Sequence, residues 1–145
     1  MNTLDMFNLT SRRALVTGSG QGIGFSLARG LAGAGAELIL NDIDEQRLSA
    51  AAEQLRAEGA VVHELGFDVT DSEKAAAAID DFESKTGAID ILVNNAGMQF
   101  RAPLEEFPVD RFDFMMRLNI NSAFYVGQAV ARHMIARGTG QIVNI

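Results

Sequence analysis

Short apolar runs alternate with amphipathic helical segments along this sequence, and no other feature restricts its fold as tightly. Arg13-Ala14-Leu15-Val16-Thr17 reads as a buried strand that stops at Gly18. Gly22 to Ala34 reads as a helix, with Ile23, Leu27, Leu31 and Ala34 recurring on one face. Glu37 to Asn41 is predicted as the second strand. Asp44 to Glu58 is predicted as the second helix, with Asp44 as N-cap, Leu48, Ala51, Ala52 and Leu55 on one stripe and Gly59 as the left-handed stop. Val61 to Phe67 is the third expected strand. Thr70-Asp71-Ser72-Glu73 has capping-box spacing ahead of an Ala-rich helix that runs to Thr86. Ile89 to Asn94 follows as a fourth strand, Gly97 to Val109 as a loop holding Pro103 and Pro108, Asp110 to Arg137 as one long helix, and Gln141 to Ile145 as a fifth strand. Met1 to Ser11 reads as a polar arm.

Strands separated by helices of this length predict an α/β fold, a doubly wound parallel sheet of Rossmann type with five strands and four helices. The strand runs lack the polar alternation of a half-exposed sheet, so helices are expected on both faces. No linker or repeat divides residues 1–145, which read as a single domain. Hydrophobic residues make up 48% of the chain and charged residues 21%, which excludes a disordered polymer. With no cysteine there is no disulfide, thiolate zinc site, iron–sulfur cluster or cysteine nucleophile. His63 and His133 are the only histidines and make no recognisable metal set. A net charge of −7 argues against a nucleic-acid partner. No run approaches the ~20 apolar residues of a membrane span, and the N-terminus lacks a secretory h-region. The expected setting is cytoplasmic.

The first strand–helix junction, Thr17-Gly18-Ser19-Gly20-Gln21-Gly22-Ile23-Gly24, holds four glycines in seven residues. Glycines let backbone N–H groups approach an anion, and the following helix adds its positive dipole end. Neither G-x-G-x-x-G nor the Walker A spelling fits, because Ile23 stands where each needs a glycine. What fits is T-G-x-x-x-G-x-G, which points to a dinucleotide without naming a reaction. Asp42 lies 18 residues past Gly24, at the end of the second strand. A carboxylate there can accept hydrogen bonds from the adenosine ribose and would repel the extra phosphate of NADP, although Asp44 is near enough to share the role.

Together these features resemble the short-chain dehydrogenase/reductase superfamily, over the whole chain. Thr17-Gly18-x-x-x-Gly22-Ile23-Gly24 matches its cofactor loop, in which Ser19 and Gln21 also lie. Asp68-Val69 matches the pair beside the adenine ring. Asn94-Asn95-Ala96-Gly97 matches the N-N-A-G signature that holds the central strand and lines the cofactor site. Asn119 matches the asparagine of the family's catalytic tetrad, which holds a water in the proton relay; it also reads as a buried amide on the stripe Met115–Asn119–Ala123. Within the superfamily, Leu40-Asn41-Asp42-Ile43 and Asn94 to Arg101 look most like the sugar-acid dehydrogenases. Phe100 stands where their N-N-A-G-x-x-R-R pattern has its first arginine. Arg101 is then the candidate for a substrate carboxylate, or a solvated loop residue paired with Glu105 or Glu106.

The resemblance implies a cofactor, NAD with NADP as the alternative, a small-molecule substrate such as gluconate, and a homo-oligomer, dimer or tetramer, at full length. It also implies a serine and a Tyr-x-x-x-Lys that this chain does not spell. The only tyrosine, Tyr125, is followed four residues on by Ala129, and both lysines, Lys74 and Lys85, lie upstream. The expectation is therefore the N-terminal part of a longer dehydrogenase, inactive by itself. Its fifth strand should form an uncharged open edge, and the long helix should be uncovered along Met115, Ile120 and Val130. Two other readings are a 3-oxoacyl-thioester reductase of the same superfamily and a non-catalytic dinucleotide-binding module.

Overall fold

The computed structural model describes residues 2–145. Its strands are β1 (Arg13–Val16), β2 (Glu37–Leu40), β3 (Val62–Glu64), β4 (Ile91–Asn94) and β5 (Gln141–Asn144). They form one parallel sheet in the order β3-β2-β1-β4-β5. The helices are α1 (Gly22–Gly33), α2 (Glu45–Ala57), α3 (Ser72–Lys85), α4 (Val109–Met116) and α5 (Ser122–Arg137).

Alternation of side chains along each strand explains the uninterrupted apolar runs. Ala14, Val16, Leu38, Leu40, Ile91 and Val93 face α1 and α2, meeting Ala28, Leu48, Ala52 and Leu55. Leu15, Ile39 and Leu92 face the other way, onto Ala75, Ile79 and Phe82 of α3 and Val126, Val130 and Met134 of α5. Both faces are covered, as the pattern predicts for a doubly wound sheet. No helix among the described residues is long and apolar enough to cross a membrane.

The structure departs from the expected elements in specific places. The arm contains a 3-10 turn, Thr3–Phe7, in which Asn2 accepts the Leu4 N–H and Asp5 accepts the Asn2 N–H. β3 stops at Glu64 because the Asn41 amide, not the β2 backbone, takes the carbonyls of Leu65 and Phe67 at 3.0 and 3.1 Å. β4 starts at Ile91, since the Glu83 side chain holds the Ile89 N–H and Asp90 spends its carboxylate on the Arg13 N–H. α3 is capped by Asp71, which accepts the Lys74 N–H at 3.0 Å; Thr70 bonds Asp68 instead of forming the expected capping box. The proline loop includes a 3-10 turn, Leu104–Glu106.

The largest departure is in the long helix. It is continuous, but a π-helical turn at Arg117–Asn121 divides it into α4 and α5. Leu118 packs against the core formed by Val126, Val130 and Met134, and this apolar set largely repeats every four residues. A regular α-helix drifts by about 40° at each four-residue step, and the wider turn takes up part of that drift. Val130, on the α5 face shared with Val126 and Met134, is fully buried, against expectation, while Ile120 is 56% exposed and Met115 half-buried. β5 forms a sheet edge, as expected, with Ile142 and Val143 substantially exposed.

Three neighbouring strands also meet in a polar cluster: Glu37 of β2 pairs with Arg13 of β1 at 3.1 Å and with the His63 ring of β3. Burial raises the Glu37 carboxyl, but hydrogen bonds and charge from His63 and Arg13 outweigh this and hold it below its ordinary value. A depressed carboxylate stabilises the fold above its unfolded value and loses that effect as pH falls through the folded value. Thermal melts of Glu37→Gln should therefore lie below those of the unsubstituted protein at pH 7. The gap should shrink as pH falls below the ordinary Glu value of 4.5. A pH-independent gap would remove ionisation as the cause.

Candidate functional site

β1 and β4 are adjacent, and the connections leaving their carboxyl ends run to opposite sides of the sheet. Ligands bind in open α/β sheets at such switch points. A cleft of about 450 Å³ opens there. Gly18, Gln21, Gly22, Ile23 and Gly24 line one wall; Asp42, Asp68 and Val69 line another; Asn95, Ala96 and Gly97 close the third. The predicted loop, acid and amide motifs thus meet in one place.

Side chains from neighbouring strand ends shape this cleft. The Thr17 hydroxyl, only 1% exposed, accepts both the Asn95 N–H (3.0 Å) and the Ala96 N–H (3.1 Å). The Asn95 amide returns hydrogen bonds to the carbonyls of Thr17 and Gly18. Gly18 has φ +64°, and a Cβ there would come within 2.9 Å of the Ala96 Cα. A Cβ on Gly24 would collide with the Gly18 carbonyl and the Asn95 amide. Glycine at these two positions is what allows the loop and the β4 end to close on each other.

α1 then begins without a side-chain cap and without an acid in its first turn. α2 and α3, by contrast, are capped by Asp44 and Asp71. The N–H groups and positive dipole end of α1 are therefore left for whatever enters the cleft. Ser19 is different from its neighbours: it is fully buried, donating to the Val16 carbonyl at 2.7 Å and accepting the Asn41 N–H at 3.0 Å. It braces the loop from behind and is not part of the cleft wall.

Asp42 is 6% exposed and ends the second wall. Asp68 accepts both the N–H and the hydroxyl of Thr70 at 2.8 Å, an Asx turn that leads into α3. Asn119 sits in the π-turn, outside the cleft lining. Its Oδ1 accepts the Met98 N–H and its Nδ2 donates to the Met98 carbonyl, both at 2.9 Å. One amide thus satisfies both backbone groups of the residue that follows Gly97.

Arg101 is exposed, lies outside the lining and reaches only the Gln99 amide, at 3.4 Å. Among the described residues it pairs with no carboxylate, Glu105 and Glu106 included. Sequence reading missed Ile43, Arg47, Phe114 and Leu118, which also line the cleft. Arg47 carried a usable signal: it lies within one turn of the Asp44 cap, on the end of α2 nearest Asp42.

A sequence profile described as short chain dehydrogenase matches residues 12–145. The chain belongs to the short-chain dehydrogenase family. It is 50% identical to gluconate 5-dehydrogenase of Gluconobacter oxydans over the whole chain and 57% of that relative. It is 44% identical to 5-keto-D-gluconate 5-reductase of Escherichia coli, covering 97% of this chain and 56% of the other. The crystal structure of a gluconate 5-dehydrogenase from Burkholderia cenocepacia, in complex with NADP and tartrate, matches at a TM-score of 0.95 and 54% identity, over 99% of this chain and 56% of that one. The chain therefore spans little more than half the length of these relatives.

Thr17→Val keeps the shape at the loop but leaves the Asn95 and Ala96 donors unmatched. Each orphaned buried donor costs about 1–3 kcal/mol. Urea unfolding should show a loss of at least that size, together with weaker dinucleotide binding by calorimetry. A variant as stable as the parent would mean that the hydroxyl does not hold β1 to β4.

Proposed function

We propose that residues 1–145 are the NAD(P)-binding Rossmann domain, incomplete at its C-terminal end, of an oxidoreductase acting on a sugar acid such as gluconate. The reaction is hydride transfer between nicotinamide and a secondary alcohol or ketone. The observation that carries the reading is the cleft at the switch point, built from the residues that also carry the similarity to gluconate 5-dehydrogenases.

The cleft suits a dinucleotide. The uncapped α1 terminus and the glycine cradle receive a pyrophosphate. Asp42 faces the region where such folds take the adenosine ribose, and Asp68-Val69 lies where adenine would rest. The bound dinucleotide would accept or supply the hydride. The chain's own residues do the positioning: Gly18, Gln21, Gly22, Ile23 and Gly24 hold phosphate, while Asn95, Ala96 and Gly97 form the wall toward the reacting end. Asn119 fixes the backbone after Gly97 and is the chain's one member of the catalytic tetrad. Ser19 supports the loop from inside. Asp42 alone favours NAD.

The proton-transfer set is not spelled within these residues. Tyr125 is half-buried against Phe124 on α5, with Ala129 four residues on. The 145-residue chain alone should show no turnover. Exposed Phe112, Ile120 and Phe124 on the outer side of α4 and α5 support a homo-oligomer, dimer or tetramer, of the full-length protein. A cytoplasmic setting, with its NAD(P) pool, suits this reading.

The test is to follow nicotinamide absorbance while the intact protein carrying this chain oxidises gluconate or reduces 5-ketogluconate. Turnover of a 3-oxoacyl thioester with none on either sugar acid would overturn the reading. Arg101→Ala should reduce kcat/KM for an aldonate by roughly 1.5–3 kcal/mol, the range for a charged hydrogen bond, and much less for a neutral polyol. An equal loss on both would make Arg101 structural. Asp42→Ala should weaken NAD and shift preference toward NADP; equal weakening of the two would remove Asp42 from the ribose site.

A further inference from the structure

After Gly97 the chain leaves the carboxyl end of β4 as a loop, on the side of the sheet where ligands enter open α/β folds. The loop is held at two points. Asn119 grips both backbone groups of Met98. Farther along, the rings of Phe100 and Phe107 meet edge to face with centroids 5.4 Å apart. Over Phe100 stands Arg111 of α4, its guanidinium carbon 5.7 Å from the ring centroid. Phe100 and Phe107 are half-buried, whereas Arg111 is exposed. Residues 111, 114 and 118 share one helix face, and Phe114 and Leu118 of this set line the cleft. Arg111 extends that face by one turn, to the mouth of the cleft beside the loop.

Charge pairing sets Arg111 apart. Among the described residues, Arg12, Arg13, Arg29, Arg47, Arg56 and Arg137 each pair with a carboxylate. Arg111 pairs with none, although Asp110 and Asp113 are close to it in sequence. Acids outnumber basic residues nineteen to twelve in this chain, so its charge is not free for want of carboxylates. The contact with Phe100 places the cation by its charge and consumes no N–H donor. The planar fork is left for an anion with two oxygens. Arg101, next to Phe100 in the loop, is likewise without a carboxylate. Phe100 thus stands between two uncommitted arginines.

Resting on the sugar-acid reading given above, we propose that Arg111 is a second anion-binding residue of the substrate site, with Phe100 and Phe107 as its positioning residues. Arg101 receives one carboxylate and Arg111 receives a second anionic group, so the substrate class extends to sugar acids charged at both ends. A carboxylate and a phosphate monoester both present the paired oxygens that the fork matches.

Steady-state kinetics of the intact protein with gluconate, glucarate and 6-phosphogluconate, followed by nicotinamide absorbance, test this. The unsubstituted protein should favour a doubly charged acid over gluconate in kcat/KM; glucarate ahead identifies the second group as a carboxylate, 6-phosphogluconate ahead as a phosphate. In Arg111→Gln, kcat/KM for the favoured acid should fall roughly 10- to 100-fold, the loss of a charged hydrogen bond. The fall should lie in KM, because the contact is made equally before and during hydride transfer. Gluconate should change far less. Phe100→Leu, which removes the ring face, should reproduce part of this loss, and Phe100→Tyr should not. A preference of the unsubstituted protein for gluconate, or equal losses on singly and doubly charged acids, would overturn the role of Arg111 while leaving the sugar-acid reading intact. An altered oligomeric state of Arg111→Gln in sedimentation, with substrate preference unchanged, would place Arg111 against a second subunit and overturn it too. Absence of turnover on any sugar acid by the unsubstituted protein would instead overturn the reading on which the proposal rests.

Discussion

The hydroxyl of Thr17 is the point on which the rest of the cleft depends. Parallel strands are held together by backbone hydrogen bonds along their length, but beyond their carboxyl ends those bonds run out. Here side chains continue the work. Thr17 joins β1 to the segment after β4, Asn95 reaches back across the same gap, and Asn41 links the end of β2 to the turn after β3. Ser19 closes the set by bonding Val16 and Asn41. These contacts are largely buried, where a missing partner is costly, so the strand ends cannot drift independently. The glycine turn keeps its shape because it is laced on both sides to neighbouring strands.

The electrostatics follow from how the helices begin. α2 and α3 spend an aspartate on their own first turn, whereas α1 has no side-chain cap and no acid in its first turn. In a chain of net charge −7, this leaves one helix terminus receptive to an anion within an otherwise acidic molecule. The acid closest to that cradle, Asp42, is offset by Arg47. The cleft is therefore less negative than the composition of the chain suggests.

Much of this was legible in the residues. Helix and strand order could be read because each apolar run is short and bounded, and because Asp44, Gly59 and Asp71 lie at element ends where local chemistry is decisive. The lining of the cleft could be read because glycines and paired amides at strand ends have few other uses. What escaped were features set by partners distant in sequence. β3 ends early because Asn41, just past the end of β2, takes the carbonyls of Leu65 and Phe67 that follow it. Ser19 belongs to the loop motif, yet its side chain turns inward to Val16 and Asn41, which no local pattern shows. The partnership of Arg47 with Asp42 depends on how α2 leaves β2. The burial of Val130 depends on which face of α5 meets the sheet and α3.

That π-turn has a consequence for how this segment tolerates change in length. Each residue of an α-helix advances its direction by about 100°. Removing a residue from the regular turns of α5 would rotate everything beyond it by that amount and turn Val126, Val130 and Met134 out of step with the sheet. The wide turn at Arg117–Asn121 holds about one residue more than a regular turn. A residue lost there lets it close to a regular turn with far less rotation, so Phe114 and Leu118 can still face the cleft. The π-turn is thus the place in this helix where a change of length is most readily absorbed.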